Sequence, residues 1–225
     1  MRTLDDERRT AAEMSGGHSS EAIYRIVIAS ARNAGNKKSL LDVGAGDGSL
    51  TRELIPFFDR VVALDLVDHE GRNAAPAAQW ITADLNAALP LADGEFDVVV
   101  AAEVIEHLEN PRFAVREWFR VLSAGGRLVI TTPNNESWRS LLSLAVRGHF
   151  AAFTGASYPA HVTALTRLDL ERILGEAGFE RTELSFTDHG AVPRLTRLTW
   201  QQLSRGRLRG LRFSDNLCCS AIKPR

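Results

Sequence analysis

An α/β fold built on a doubly wound parallel sheet, with helices on both faces, is predicted by three features of the 225-residue chain. Near-continuous Val/Leu/Ile runs alternate with helix-compatible segments, as strands buried on both faces require. A glycine-rich turn follows the first run directly. Carboxylates end three successive runs, at the edge where open parallel sheets bind ligands.

The elements follow in order. The opening residues, to about 36, read as helical; Ser19 and Ser20 can cap a helix in which Ile23, Ile26 and Val27 form an apolar stripe closing near Gly35. Strands are expected at 39–43, 60–66 (RVVALDL), 79–85 (QWITADL), 96–103 (FDVVVAAE) and 126–133 (GRLVITTP). A helix at 49–57 follows the glycine turn, and an amphipathic helix at 111–122 carries Phe113, Val115, Trp118, Phe119 and Leu122. After Pro133 the rhythm changes: a further helix at 136–147, a loop or lid at 148–160, a helix at 167–176 ended by Gly178, and strands at 179–186 and 213–222. The tally is seven strands.

Composition sets the outer limits. With 27 basic and 28 acidic residues and 44% hydrophobic content, the chain reads as an ordinary globular domain. A net charge of −1 argues against a surface built throughout to grip nucleic acid. No apolar run reaches the roughly 18–20 residues needed to cross a bilayer. The charged N-terminus lacks the apolar centre of a secretory signal. Cys218 and Cys219 are adjacent, a disulfide between them would be strained, and no zinc spacing exists, so a reducing, cytoplasmic setting is expected. Charge is uneven: residues 65–110 hold ten acids and one base (Arg72), whereas 191–225 hold eight bases and one acid. The basic tail either docks on the acidic face, stays solvated, or holds an acidic acceptor.

The turn Asp42-Val43-Gly44-Ala45-Gly46-Asp47-Gly48 joins a strand to a helix, where glycines permit close backbone approach and the helix offers free N–H groups. Dinucleotide binding by GxGxxG would want glycine at 49, which is serine, and no Walker lysine follows. Asp65, 19 residues after Gly46, is placed to accept both hydroxyls of a ribose, and Asp84 to accept from the exocyclic amine of an adenine. The plainer alternative is that Asp42, Asp65 and Asp84 cap helices.

LLDVGAGDGSLTREL, the acid of VVALDL, the ITADL turn and FDVVVAAEVIEHLENP resemble the class I S-adenosylmethionine-dependent methyltransferases. They are most similar to the type 11 branch that contains the ubiquinone-biosynthesis O-methyltransferases. The resemblance covers about 39–135 and extends more loosely through 161–179 (HVTALTRLDLERILGEAGF). It implies a Rossmann-like seven-stranded sheet whose last strand runs antiparallel, and S-adenosyl-L-methionine as methyl donor. It also implies that Gly44, Gly46 and Gly48 line the methionine moiety, Asp65 the ribose, and Asp84 with Leu85 the adenine, with Ala45 and Leu66 also among the cofactor-binding residues. Asp42 would reach the amino-acid end, and Ala101 and Glu103 would close the pocket beneath the methyl group. On this basis the whole chain is one methyltransferase domain, with a helical cap at 1–36, a cofactor-binding core at 37–135, an acceptor-side insert and sixth strand at 136–212, and a final strand at 213–225.

EVIEHL puts Glu103, Glu106 and His107 at i, i+3 and i+4, on one face of a helical turn. Three readings stand. In the first, His107 and Glu106 orient the loop. In the second, His107 is a general base, its ordinary pKa near 6.5 suited to neutral pH. In the third, these residues with His161 hold a divalent metal, as in the resembling small-RNA 2′-O-methyltransferases; the absence of an RNA-binding module counts against it. The leading expectation is methyl transfer to a small-molecule hydroxyl, with His107, Glu106 and His161 as catalytic residues and no metal. The alternatives are a metal-dependent enzyme acting on RNA ends and a non-catalytic S-adenosylmethionine-binding protein. Trp118 and Phe119 are expected in the core; Trp138, Phe150, Phe153 and Tyr158 either wall an acceptor pocket or pack the insert.

Overall fold

The computed structural model describes residues 4–35, 38–67 and 74–225. Two N-terminal helices, α1 (Leu4–Met14) and α2 (Glu21–Arg32), precede strand β1 (Ser39–Val43). Strands β2 (Arg60–Asp65), β3 (Gln79–Thr82), β4 (Phe96–Ala102), β5 (Leu122–Pro133), β6 (Glu180–Phe186), β7 (Ala191–Val192), β8 (Leu195–Thr199) and β9 (Asn216–Ile222) follow. The interleaved helices are α3 (Ser49–Leu54), α4 (Pro111–Val121), α5 (Trp138–Arg147), α6 (Arg167–Ala177) and the short α7 (Trp200–Leu203).

Seven strands form one sheet in the order β3-β2-β1-β4-β5-β9-β6. Neighbours from β3 to β5 are parallel, and β9 runs antiparallel between β5 and β6. This is the seven-stranded, mostly parallel sheet the resemblance implied. Successive side chains of β1 go to opposite faces. Leu41 and Val43 join Trp118 of α4 and Leu170 and Leu174 of α6 on one face. Leu40 joins Ile23, Val27 and Ala31 of α2 and Leu50 and Leu54 of α3 on the other. Burial on both faces is why the strand runs read as continuously apolar.

Local chemistry sets the helix ends. Asn110 caps α4 by accepting from Phe113 N at 3.0 Å, with Pro111 at the first helical position. Thr166 and Asp169 form a capping box on α6, which Gly178 closes at φ +98°. Ser20 stands at the N-cap of α2, but its side chain makes no capping bond. The expected helix at 49–57 stops at Leu54 and continues as a 3-10 turn over Ile55–Phe57. Pro56 has no N–H to extend the α-helical ladder.

Four stretches differ from the sequence reading, one being the strand expected at 79–85, which ends at Thr82. Strand β5 starts at Leu122 rather than Gly126, with an irregularity in its pairing to β4 after Phe96. The expected strand at 213–222 begins at Asn216, because Leu211–Phe213 form a 3-10 turn. Residues 191–199 form an unforeseen hairpin of β7 and β8. Asp68, Glu70 and Arg72 of the charge tally lie outside the described residues. No helix among the described residues is long and apolar enough to cross a membrane.

Candidate functional site

Strands β1, β2 and β4 all end at one edge of the sheet. Because β9 is antiparallel, it begins there. A cavity of about 600 Å³ opens at this edge, lined from β1 and its turn by Asp42, Gly44 and Ala45, from β2 by Asp65 and Leu66, and after β3 by Asp84 and Leu85. Glu103, Glu106, His107 and His161 line its other side.

The glycine turn is built for close approach. Gly44 has φ +69°, and a Cβ there would sit 2.5 Å from Val104 Cγ2. Gly46 has φ +54° and packs against the backbone of Gly17, in the loop between α1 and α2. Neither Gly46 nor Gly48 is among the lining residues; they shape the turn that presents Gly44 and Ala45. Ala101, expected in the pocket floor, is fully enclosed in the core. The alternation of β4 turns Ala102 to the cavity instead.

The three strand-end acids are each held by the protein. Asp65 accepts from Gly46 N at 2.8 Å and Val67 N at 3.0 Å, which fixes its carboxylate across the turn. Asp42 accepts from Thr51 Oγ1 at 2.6 Å, and burial pushes its carboxyl up to about 7, with the nearby Asp65 adding to the rise. Asp84 accepts from Asn86 N at 2.9 Å and from Arg8 Nη1 at 2.7 Å. Arg8 also reaches Glu109 through both Nε and Nη2, at 2.9 and 2.7 Å. Helix α1 therefore roofs the cavity and is latched by one guanidinium to two acids. Nothing in the sequence reading singled out Arg8.

EVIEHL does not form the expected helical face. Only Ile105–His107 make a 3-10 turn, and Glu103 stands before it in left-handed conformation at φ +55°. Glu103 Oε2 accepts from Asn216 Nδ2 at 2.7 Å, and burial pushes its carboxyl up to about 7. Glu106 is 1% exposed; Oε2 accepts from Thr132 Oγ1 at 3.0 Å, while Oε1 is buried with no hydrogen-bond partner among the described residues. Burial, with Glu103 nearby, raises the Glu106 carboxyl well above its ordinary range.

Two histidines meet this carboxyl. His107 Nδ1 lies 2.8 Å from Ala160 O, and His161 Nδ1 lies 2.7 Å from Ala152 O. A carbonyl oxygen only accepts, so both Nδ1 atoms carry hydrogen and neither Nε2 atom is engaged by these bonds. The rings stand 4.8 Å apart, edge to face, and His107 Nε2 is 4.0 Å from Glu106 Oε1. One donor atom from each of Glu106, His107 and His161 lies within 4.8 Å of the others. Burial lowers His107 to about 4 rather than leaving it near 6.5, because the 160–163 loop covers it and its peptide N–H groups bond to Glu106 O.

Of the aromatics left open, Tyr158 lines the cavity mouth. Phe153 packs behind His161 at 5.4 Å, and Phe150 packs on Phe153. Trp138 lies outside the cavity, exposed, under Arg212. Trp118 is in the core, and Phe119 packs against it beside Phe179. Among the described residues the ion pairs of the acidic stretch are made with arginines outside the tail: Asp84 and Glu109 pair with Arg8, Glu95 with Arg60, and Asp93 with Arg120.

Residues 41–130 match the family model described as a methyltransferase domain. A protein of Mycolicibacterium smegmatis named a probable S-adenosylmethionine-dependent methyltransferase is 31% identical over 158 residues, which are 68% of this chain and 56% of the relative. A ubiquinone biosynthesis O-methyltransferase of Thiobacillus denitrificans is 26% identical over 171 residues, 72% of each chain. The structure of the N-methyltransferase NodS of Bradyrhizobium japonicum, in complex with S-adenosyl-L-homocysteine, superposes with a TM-score of 0.62 at 16% identity, covering 98% of this chain and all of that one. The fold is that of the class I methyltransferases. Residues 41–130 of the chain are similar to the domain of the S-adenosylmethionine-dependent methyltransferases. It spans 54–56% of the length of the first relatives it matches.

Proposed function

We propose that this chain binds S-adenosyl-L-methionine in the carboxyl-edge cavity and transfers its methyl group to the hydroxyl of a small molecule. One observation carries the reading: a single cavity has the glycine turn, Asp65 and Asp84 on one side and Glu106, His107 and His161 on the other. The chain's likeness to an O-methyltransferase of quinone biosynthesis supports a hydroxyl acceptor. The paired free cysteines, both buried, suit the cytoplasmic setting that belongs to this reading.

The residues present fit the donor. The bare Cα of Gly44 leaves room for a ligand against the turn, and Asp65 is pre-oriented by two backbone N–H groups. The carboxyl of Asp42, raised by burial, gains a partner when a cation lies nearby. When bound, the donor supplies an already activated methyl group on a positive sulfur. The protein's task is then alignment and proton removal. His107 Nε2, unprotonated at neutral pH, would take the proton of an acceptor hydroxyl held beside it. The Ala160 carbonyl fixes the tautomer, and Glu106 Oε1 stands 4.0 Å from the same Nε2.

The partnerless Oε1 of Glu106 favours a second reading, in which Glu106, His107 and His161 hold a divalent cation. Both imidazoles have Nδ1–H tied to backbone carbonyls, the arrangement that orients metal-ligating histidines. Such an ion would lower the pKa of a bound hydroxyl. One equivalent of bound metal, lost in both Glu106→Ala and His161→Ala, supports this reading; full activity of metal-free protein ends it.

Titration calorimetry with S-adenosyl-L-homocysteine tests the main proposal. Binding is expected, weakened at least about tenfold by Asp65→Ala. No binding, or binding indifferent to Asp65→Ala, overturns it. Binding without methyl transfer across a broad panel of hydroxyl acceptors would identify a non-catalytic module.

A further inference from the structure

We propose that α5 and the 190–214 segment form a docking surface for an anionic lipid bilayer, a partner beyond the methyl-transfer reading. Helix α5 is turned inside out. Its buried residue is Ser140, whereas Trp138, Leu142 and Val146, at i, i+4 and i+8, are 48, 47 and 68% exposed. An amphipathic helix in a globular protein normally shows the core its apolar stripe and the solvent its polar face. Here the apolar stripe faces solvent.

The 190–214 segment continues the pattern. Leu195 and Leu203 are 56 and 55% exposed. It carries Arg194, Arg197, Arg205, Arg207, Arg209 and Arg212, all exposed. The segment is internally braced, since Gln201 Nε2 donates to Leu208 O and Phe213 O, both at 2.9 Å, and Trp200 packs edge-on against Phe213 at 5.6 Å. It joins α5 through Arg212, whose guanidinium lies 5.6 Å over the Trp138 ring and donates to Glu136 O at 2.6 Å.

Charge complementarity chooses the occupant. No Asp or Glu occurs in 137–168 or in 189–214, so the charged residues within these stretches are arginines; of the flanking acids, Asp215 pairs with Arg139 at 2.8 Å. Exposed apolar side chains without charge would suit a protein partner, and arginine without exposed Leu and Val would suit a nucleic acid. Trp, Leu and Val among exposed arginines match the boundary of a membrane, where apolar side chains enter the acyl region and guanidinium groups meet anionic headgroups. Trp138 has the amphipathic ring that favours this depth.

Vesicle flotation of the full chain tests the proposal, using phosphatidylcholine alone and phosphatidylcholine with about 30% phosphatidylglycerol. Binding is expected to the anionic vesicles and to fall steeply in about 0.5 M salt, where headgroup charge is screened within a few ångströms. Combined Arg205→Glu, Arg207→Glu and Arg209→Glu should weaken it by about a hundredfold or more, from the usual contribution of each basic residue at such a surface. Vesicles should shift tryptophan emission to the blue, and Trp138→Phe should abolish that shift. Leu142→Asp should also weaken binding; if it lowers the unfolding midpoint, the surface arginine triple variant decides. Unchanged affinity for S-adenosyl-L-homocysteine in that variant separates loss of docking from damage to the cofactor site. Absent or charge-independent vesicle binding overturns the proposal, as does emission indifferent to Trp138. So does saturable binding of single-stranded RNA by the same arginines with vesicles left unbound.

Discussion

Arg8 Nη1 donates to Asp84 Oδ2 at 2.7 Å across 76 residues of sequence, and the same guanidinium holds Glu109 through two further bonds. The acid placed to meet an adenine amine is therefore also the anchor of the roof. Arg8→Ala should release α1 and raise both association and dissociation rates of S-adenosyl-L-homocysteine by about fivefold, the equivalent of ~1 kcal/mol for a partly exposed ion pair. The dissociation constant should move by less than about twofold, since both rates rise together. Stopped-flow tryptophan fluorescence measures both rates, and rates equal to those of the parent chain would show that α1 gates nothing.

Asp42 predicts a pH dependence with a definite sign. Its folded pKa is about 7 against an ordinary 3.8, so the native state holds the proton more tightly than the unfolded chain. The associated stability is complete below about pH 4 and is lost as pH rises through 7. Glu103, also near 7, acts in the same direction. The midpoint of thermal unfolding of the ligand-free protein should fall between pH 5.5 and pH 8.5, with Asp42→Asn reducing the fall. The integrated effect of Asp42 is at most on the order of 4 kcal/mol. A midpoint that rises across that interval, in parent and variant alike, contradicts this account.

His107 should govern turnover rather than donor affinity. His107→Ala is expected to lower kcat by about a hundredfold or more, with S-adenosyl-L-homocysteine affinity nearly unchanged. The lowering of His107 to about 4 places the acid limb of kcat/KM well below pH 6, with activity rising as the imidazole loses its proton. An acid limb at 6.5 would show that His107 is not buried in the working enzyme.

Gly46→Ala tests the turn. At φ +54° an L side chain is strained, by about 1–3 kcal/mol on conformation alone, and the new Cβ would meet the backbone of Gly17. The variant should unfold at a lower temperature and bind the donor product more weakly; calorimetry and circular dichroism read the two effects. A fully stable, fully binding Gly46→Ala would mean that the Gly17 loop moves freely.

The sheet and the strand-end acids were legible because double burial writes itself as unbroken apolar runs, and Asp42, Asp65 and Asp84 fall where those runs stop. Phase was harder. Ala101 and Ala102 differ only in which face of β4 they occupy, and two alanines in sequence carry no sign of it. The β7–β8 hairpin was hidden because Arg194 adopts φ +66° in its tight turn, where a sequence reader looks for Gly or Asn. Arg8 was invisible because its partners are far along the chain. The depressed basicity of His107 comes from the 160–163 loop covering it, which spacing within EVIEHL cannot reveal.

Asn216, the first residue of β9, donates to Glu103 and lines the cavity, although the glycine turn that opens the site was laid down some 170 residues earlier. During synthesis on the ribosome, a nascent chain that has already emerged through β5 therefore has Asp42, Asp65 and Asp84 but an unfinished wall behind Glu103. The pocket closes only as the antiparallel strand slots between β5 and β6, which couples competence to the emergence of β9.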